Sequence, residues 1–142
     1  MIQLDGTIRA DLLDLYGRYA QAIDANDGDR WADCWLPDAE FVPGVGARTT
    51  GKPIVGHAAL KDFAANRPDD YPRARILTTN HTFVAYDDHV EGTCYGLVLD
   101  VSGDKPVLGA HVVYHDEIVL DGDRWRFRAR RPVADVEDRD RA

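Results

Sequence analysis

The sequence is poor in cysteine and in long hydrophobic runs, and each shortage excludes a class of protein. Its two cysteines, Cys34 and Cys94, have neither the number nor the spacing of a disulfide framework or a zinc site, so we predict two buried free thiols. No apolar run approaches the roughly 20 residues that a membrane-spanning helix needs. The N-terminal residues lack the basic and apolar regions of a signal peptide, and we therefore expect a cytoplasmic protein.

Positive charge is also scarce, because the net charge is -8. Nucleic-acid binding requires a basic surface, so we expect no nucleic-acid partner. One basic cluster lies near the C-terminus: Arg124, Arg126, Arg128, Arg130 and Arg131. Its alternation with Trp125, Phe127 and Ala129 predicts a strand with a basic outer face and an apolar inner face. That face is either solvated or a contact for an anionic ligand or partner.

The first third of the chain shows helical periodicity. Apolar residues recur at helical spacing from Ile8 to Ile23, which predicts an amphipathic helix capped by Asp5 or Thr7 and ended by the Ala25–Gly28 stretch. A short second helix containing Trp31, Cys34 and Trp35 follows, then a strand from Ala39 to Val42 and a loop at Pro43–Gly46. A third helix fits Gly56 to Asn66.

The remainder reads as long extended runs separated by polar turns. The runs are Arg73–Tyr86, His89–Val101, Val107–Leu120 and Arg124–Ala134, and they predict an antiparallel meander. Helices followed by such a sheet indicate an α+β fold in one domain, residues 1–142, with 135–142 as a charged tail. We expect the sheet to curl into a cone, the first helix to close its concave face, and a cavity to lie at the open end.

Two residues stand out as candidates for acid–base chemistry. Asp24 lies in the last turn of the apolar first helix, at the border of its apolar face, where an unpaired carboxylate is costly. His81 lies on a predicted strand, sharing a mostly apolar face with Leu77, Thr79, Phe83 and Ala85. Such a histidine is either a satisfied core residue or a general base. A carboxylate paired with an imidazole fixes its tautomer and stabilises the imidazolium.

Further polar and aromatic residues are candidates for binding a substrate. Tyr16 and Tyr19 point from the first helix toward the sheet, as core aromatics or as phenols that polarise a carbonyl. Trp35 and Phe41 would line or plug the cavity mouth. His111 and His115 are about 13 Å apart on a strand, too far to share a metal ion, so we expect no metal site.

The order of elements and several motifs resemble the nuclear transport factor 2-like superfamily, in particular its SnoaL-like polyketide cyclase branch. The motifs are YAQAIDANDGDRWADCWLPDAEF, Gly56 with Phe63, His81 on the first long strand, and the closing DGDRWRF. Members that eliminate water or hydrogen chloride pair an Asp at the end of the first helix with a His on the first long strand, and Asp24 and His81 match those positions.

The same resemblance assigns roles to other positions. Asp100 stands where one such member has a second His, and Tyr19 where another has a Lys. His111 stands where one has a pocket hydroxyl, and would donate to a substrate oxygen.

The resemblance implies a lyase, isomerase or cyclase that needs no cofactor and uses Asp24 and His81 as a general base on a small hydrophobic, polyketide-like carbonyl compound. A non-catalytic small-molecule-binding module and a small subunit of a ring-hydroxylating dioxygenase are the alternatives. Dimers are common in this fold, so we expect a homodimer or higher homo-oligomer.

Overall fold

The computed structural model describes residues 2–43, 52–67 and 73–133. Its helices are α1 Gly6–Asp24, α2 Gly28–Ala32 and α3 His57–Ala65. Its strands are β1 Trp35–Phe41, β2 Ile54–Val55, β3 Ala74–Ala85, β4 Val90–Asp100, β5 Val107–Asp121 and β6 Arg124–Val133. The predicted loop beyond Pro43, the strand end at Ala134 and the charged tail 135–142 lie outside the described residues.

Helix α1 begins where its capping chemistry predicts. The Asp5 carboxylate accepts a hydrogen bond from the Ile8 amide at 2.8 Å, which satisfies an amide that the first helical turn leaves unpaired. The buried face of the helix carries Leu12, Leu15, Tyr16, Tyr19, Ala22 and Ile23. The predicted apolar stripe is therefore the surface that packs against the sheet.

The described strands form one curved sheet in the order β2-β1-β6-β5-β4-β3. Strands β3 to β6 pair antiparallel with their neighbours in the chain, so the predicted meander is confirmed. Strand β1 joins the far side of β6 in parallel. Because α1 packs its apolar face onto this sheet, the predicted α+β architecture is also confirmed.

The boundary between α2 and β1 differs from the prediction. Helix α2 ends at Ala32, and Trp35 already belongs to β1, which starts four residues before the predicted Ala39. Trp35 is in register with Phe127 of β6, and the Phe127 amide donates to the Cys34 carbonyl oxygen at 2.8 Å. These long-range ladder contacts outweigh the local helical pattern.

A bulge in β3 decides which way His81 points. Thr79 is opposite Tyr95 and Thr82 opposite Thr93, so β3 carries one residue more than β4 between these pairs. Asn80 there has a φ of +56°, which Asn tolerates better than most residues. The bulge reverses the alternation, so His81 faces inward with Phe83, whereas Leu77 lies on the outer face. The prediction that His81 shares a face with Leu77 and Thr79 was wrong.

A second bulge, in β6, reverses the alternation of the basic strand. Phe127 is opposite Ile118 and Ala129 opposite Glu117, so Arg128 is an extra residue between them. Arg130 is thereby turned inward, directly opposite Asp116, and its side chain is fully buried. The prediction that the arginine cluster forms one outer face was wrong for Arg130.

Candidate functional site

A cavity of about 560 Å³ lies between α1 and the edge strand β3. Helix α1 contributes wall residues from Leu13 to Asp24, and β3 contributes residues from Arg75 to His81. Both candidate acid–base residues are therefore in the wall of one cavity. Apolar side chains, including those of Leu13, Ile76 and Leu99, make up much of the remaining wall, which suits a hydrophobic ligand.

His81 is half-buried in this wall and contacts aromatic rings. Its ring centroid lies 4.5 Å from that of Tyr16 in an edge-on arrangement, and its Nε2 atom is 3.1 Å from Thr78 Oγ1. Burial lowers the pKa of His81, and the positive charge of Arg130 lowers this pKa further. The imidazole is therefore neutral near pH 7 and has a lone pair available to accept a proton.

The Tyr16 hydroxyl is directed away from the cavity. It donates a hydrogen bond of 2.5 Å to Asp116 Oδ2. Gly92, opposite Asp116 on β4, leaves room for this contact, because a Cβ there would lie 2.7 Å from the hydroxyl oxygen. Burial and the Asp116 charge raise the pKa of Tyr16, so the phenol stays protonated. Tyr16 thus presents its ring to the cavity and its hydroxyl proton to Asp116.

Asp116 and Arg130 form a charge pair in the interior. Arg130 Nε lies 3.1 Å from Asp116 Oδ1, within ion-pair distance, although the N–H is not aligned as a hydrogen bond. Both side chains are fully buried. The guanidinium carbon sits 3.9 Å from the Tyr114 ring centroid and 4.7 Å from that of Tyr19. Burial raises the pKa of Asp116, and the Arg130 charge opposes that rise.

Sequence reasoning missed this pair, although one half of it left a signal. Asp116 alternates with Tyr114 and Ile118 along β5, so an acidic residue occupies an inward position of an apolar strand face. Such a residue requires a buried partner. Arg130 left no comparable signal, because the β6 bulge reverses its apparent orientation.

Asp24 connects α1 to the sheet. Both of its carboxylate oxygens lie close to the Ile76 amide nitrogen of edge strand β3, at 3.2 and 3.3 Å. Burial raises the pKa of Asp24, opposed by this hydrogen bond and by the charges of Arg67 and Arg75. The hydrogen bonds of Asp24 and of His81 do not join the two side chains, so their direct pairing stays a prediction.

The other predicted site residues lie away from the cavity wall. Tyr19, Trp35 and Phe41 belong to the buried aromatic core rather than to a mouth. Asp100 is at the end of β4, where it accepts a hydrogen bond from the Ser102 amide. His111 is exposed on the outer face of β5, because its neighbours Val112 and Ala110 take the inward positions.

Both cysteines are buried and unpaired, as predicted. Burial raises the pKa of the Cys34 thiol and of the Cys94 thiol to about 11. Within residues 2–43, 52–67 and 73–133, no three His, Cys, Asp or Glu side chains are grouped to hold a metal ion. None of the helices in these ranges is long and apolar enough to cross a membrane.

The packing of an N-terminal helix on a curved, mainly antiparallel sheet is the architecture of the nuclear transport factor 2-like class of fold. Within that class the chain belongs to the SnoaL-like domain family, whose model matches residues 7–131. The predicted family is thereby confirmed. The nuclear transport factor 2-like superfamily, to which SnoaL-like domains belong, includes polyketide cyclases and dehydratases. A search of curated proteins found no match.

Solved structures support the same fold. Aln2 from a Streptomyces species is 20% identical over 99% of this chain and 100% of its own, with a TM-score of 0.81. ActVI-ORFA from Streptomyces coelicolor is 21% identical over 89% of this chain and 96% of its own, with a TM-score of 0.73. An NTF2-like protein with a cystatin-like fold from Novosphingobium aromaticivorans is 15% identical over 94% and 96%, with a TM-score of 0.74. At these identities the likeness is one of fold.

Proposed function

We propose that the protein is a cofactor-independent acid–base enzyme of the lyase, isomerase or cyclase type, acting on a small, largely apolar carbonyl compound. The observation that carries the proposal is the position of His81, which a bulge turns into the wall of the cavity between α1 and β3. A neutral imidazole in a mostly apolar cavity is suited to accept a proton from carbon.

In the proposed reaction, His81 takes a proton from the carbon next to the substrate carbonyl. The electrons of the broken C–H bond move into the carbonyl group and form an enolate. Expulsion of a leaving group from the adjacent carbon completes an elimination, reprotonation at another carbon completes an isomerisation, and attack of the enolate on a second carbonyl closes a ring. All three outcomes begin with the same proton transfer.

The neighbours of His81 act through position. Tyr16 is held by its hydrogen bond to Asp116, so its ring fixes the orientation of the imidazole. Thr78 Oγ1 lies within hydrogen-bonding distance of Nε2 and restrains the ring from the other side. Asp24 holds the Ile76 amide two residues before Thr78, which anchors the strand segment leading to His81. We assign Asp24 this positioning role, in addition to any direct contact with the imidazole during reaction.

The test uses a simple probe, 2-tetralone, which is an apolar bicyclic ketone with acidic α-protons. The protein is expected to accelerate exchange of these protons for deuterium in D₂O, followed by NMR. His81→Ala should reduce the acceleration by about 10²–10⁴-fold, the usual contribution of a general base. His115→Ala, a histidine on the outer face of β5, is the matched control and should retain the wild-type rate. Exchange that survives His81→Ala unchanged contradicts the proposal.

A non-catalytic binding module is the second candidate. It is favoured by the hydrogen bonds that already engage the Asp24 carboxylate and the Tyr16 hydroxyl within the protein. In that case 2-tetralone binds without exchange, and its affinity is insensitive to Asp24→Asn.

We further propose that the protein is a homodimer. The outer face of the sheet exposes Leu77, Val84 and Tyr95 at between 44% and 55% of their surface, an apolar area that a second copy of this face would cover. Light scattering after size-exclusion chromatography tests this, and Tyr95→Asp should shift the population toward monomer. A wild-type monomer at all concentrations contradicts it.

A further inference from the structure

The cavity beside His81 continues into a second one. This second cavity has a volume of about 420 Å³ and is lined by Gln21, Asp24, Ala25, Arg73 and Arg75. Gln21, Asp24 and Arg75 line both cavities, so the two form one groove along α1. Tyr16 and Asp24 are eight residues apart on this helix, which corresponds to about 12 Å. The groove is mostly apolar beside His81 and polar at its far end, which Arg73 and Arg75 line.

The arginines at the far end are not paired with carboxylates in the way that Arg124, Arg126 and Arg128 of β6 are. Arg124, Arg126 and Arg128 each have a carboxylate within 4 Å. Among the described residues, Arg73 and Arg75 form no ion pair, and the Arg75 side chain donates to the Ala74 carbonyl oxygen. In a chain with a net charge of -8, two arginines at the end of a groove for which the described residues provide no ion pair require an explanation.

We propose that Arg73 and Arg75 form a subsite for the carboxylate of the ligand. Resting on the function proposed above, this defines the substrate class as an elongated, mostly apolar acid, with its carbonyl beside His81 and its carboxylate at the Arg73–Arg75 end. A guanidinium binds a carboxylate through paired N–H donors, which suits this pairing.

The described acidic residues near the subsite cancel only part of its charge. Asp24 lies in the wall of both cavities, where both of its oxygens lie close to the Ile76 amide, and its charge offsets part of that of Arg75. Asp100, next along the sheet, turns its carboxylate to the Ser102 amide. Among the described residues that line the second cavity there are two arginines and one carboxylate, so these residues leave a net positive charge for a ligand.

Two fluorescent probes of equal ring size test the subsite. 2-Naphthol supplies an enol-like hydroxyl without a charge, and 6-hydroxy-2-naphthoic acid adds, at the opposite end, a carboxylate that is ionised at pH 7. The acid should bind at least tenfold more tightly than 2-naphthol. Arg73→Gln and Arg75→Gln should each weaken the acid about 3–10-fold and leave 2-naphthol within twofold. Raising the salt concentration from 50 to 500 mM should weaken only the acid.

Arg131→Gln is the matched control, because Arg131 is an exposed arginine on β6 away from the groove. Its loss should change neither affinity. The proposed subsite is overturned if the two probes bind with equal affinity or if all three arginine variants have equal effects. It is also overturned if neither probe binds. Exchange of 2-tetralone, which has no carboxylate, tests the proposed function without the subsite: it should be unaffected by Arg131→Gln and reduced about 10²–10⁴-fold by His81→Ala. Failure of the subsite and failure of the proposed function are thus separate results.

Discussion

The Asp116 carboxylate connects three elements of the interior at the level of a single residue. It accepts the Tyr16 hydroxyl from α1 and pairs with Arg130 of β6, while Gly92 of β4 leaves the space for the tyrosine. Without it, a fully buried guanidinium would have no counter-charge. Asp116 is therefore a structural requirement first, and it affects His81 through the ring of Tyr16.

Asp116→Asn should accordingly destabilise the protein by about 3–5 kcal/mol, the cost of leaving one partner of a buried ion pair uncompensated. Urea denaturation followed by far-UV circular dichroism measures this. Glu117→Gln is the control, since Glu117 follows in sequence and its pair with Arg128 is partly exposed. Loss of that pair should cost about 1 kcal/mol or less. Equal costs for the two variants would show that the buried pair contributes no more than an exposed one.

The titration of His81 gives a second prediction at this scale. Its pKa should lie below the ordinary value of 6.5, because burial and Arg130 both disfavour the imidazolium. Catalysis of 2-tetralone exchange should therefore be constant near pH 7 and fall as the pH drops through this lowered pKa. NMR titration of the imidazole protons measures the pKa directly.

The same titration in Asp24→Asn tests the direct Asp24–His81 pair. The hydrogen bonds of the structure engage Asp24 with Ile76 rather than with His81, so we expect the His81 pKa to be almost unchanged in this variant. A clear decrease would instead establish the direct pair, because removing a nearby negative charge lowers the pKa of an imidazole. Asp14→Asn, which removes an exposed carboxylate from α1, controls for general charge effects.

At the level of elements, strands β3 and β6 explain how much of the site the sequence could predict. In these two strands, the alternation of residues along the sequence predicted the inner and outer faces correctly on one side of the bulge and incorrectly on the other. In β3 it placed Leu77 with His81, and in β6 it placed Arg130 outside. A bulge depends on the register with the neighbouring strand, which local sequence does not contain.

Helix α1 was predictable because its determinants are local. The Asp5 cap and the apolar residues from Leu12 to Ile23 lie within one segment and agree with each other. The start of β1 was not predictable from local sequence, because Trp35 pairs with Phe127, which lies far along the chain. Candidate residues on α1 were therefore placed more reliably than those on the strands.

The bulge at Asn80 offers a test of this interpretation. Asn80→Gly should keep the backbone conformation, since glycine accepts a φ of +56° without strain. Asn80→Val should destabilise the protein by about 1–2 kcal/mol and turn His81 away from the cavity, with loss of 2-tetralone exchange. Thr79→Val, at the preceding exposed position without positive φ, should keep the exchange rate. Full activity of Asn80→Val would show that the bulge does not orient His81.

At the scale of the whole molecule, the groove exists because α1 is not packed against β3 along its entire length. Gly17, in the middle of α1, lines the cavity, and a Cβ there would meet no atom within 4 Å. Glycine within a helix costs about 1 kcal/mol relative to better helix formers. The helix therefore retains a destabilising residue at the position where a side chain would enter the groove.

Gly17→Leu should fill the groove and weaken binding of both naphthol probes more than tenfold, because the leucine side chain occupies the space between Tyr16 and Asp24. The same substitution should leave the protein as stable as the wild type or more stable by up to about 1 kcal/mol, since it replaces a helical glycine. Gly6→Leu is the control: Gly6 also has open space around its Cβ position, but it begins α1 and lies outside the cavity wall. Unchanged probe binding in a folded Gly17→Leu variant would show that ligands do not use this groove. Loss of binding together with retained or increased stability would show that the space beside α1 is kept open for a ligand, because folding alone would favour filling it.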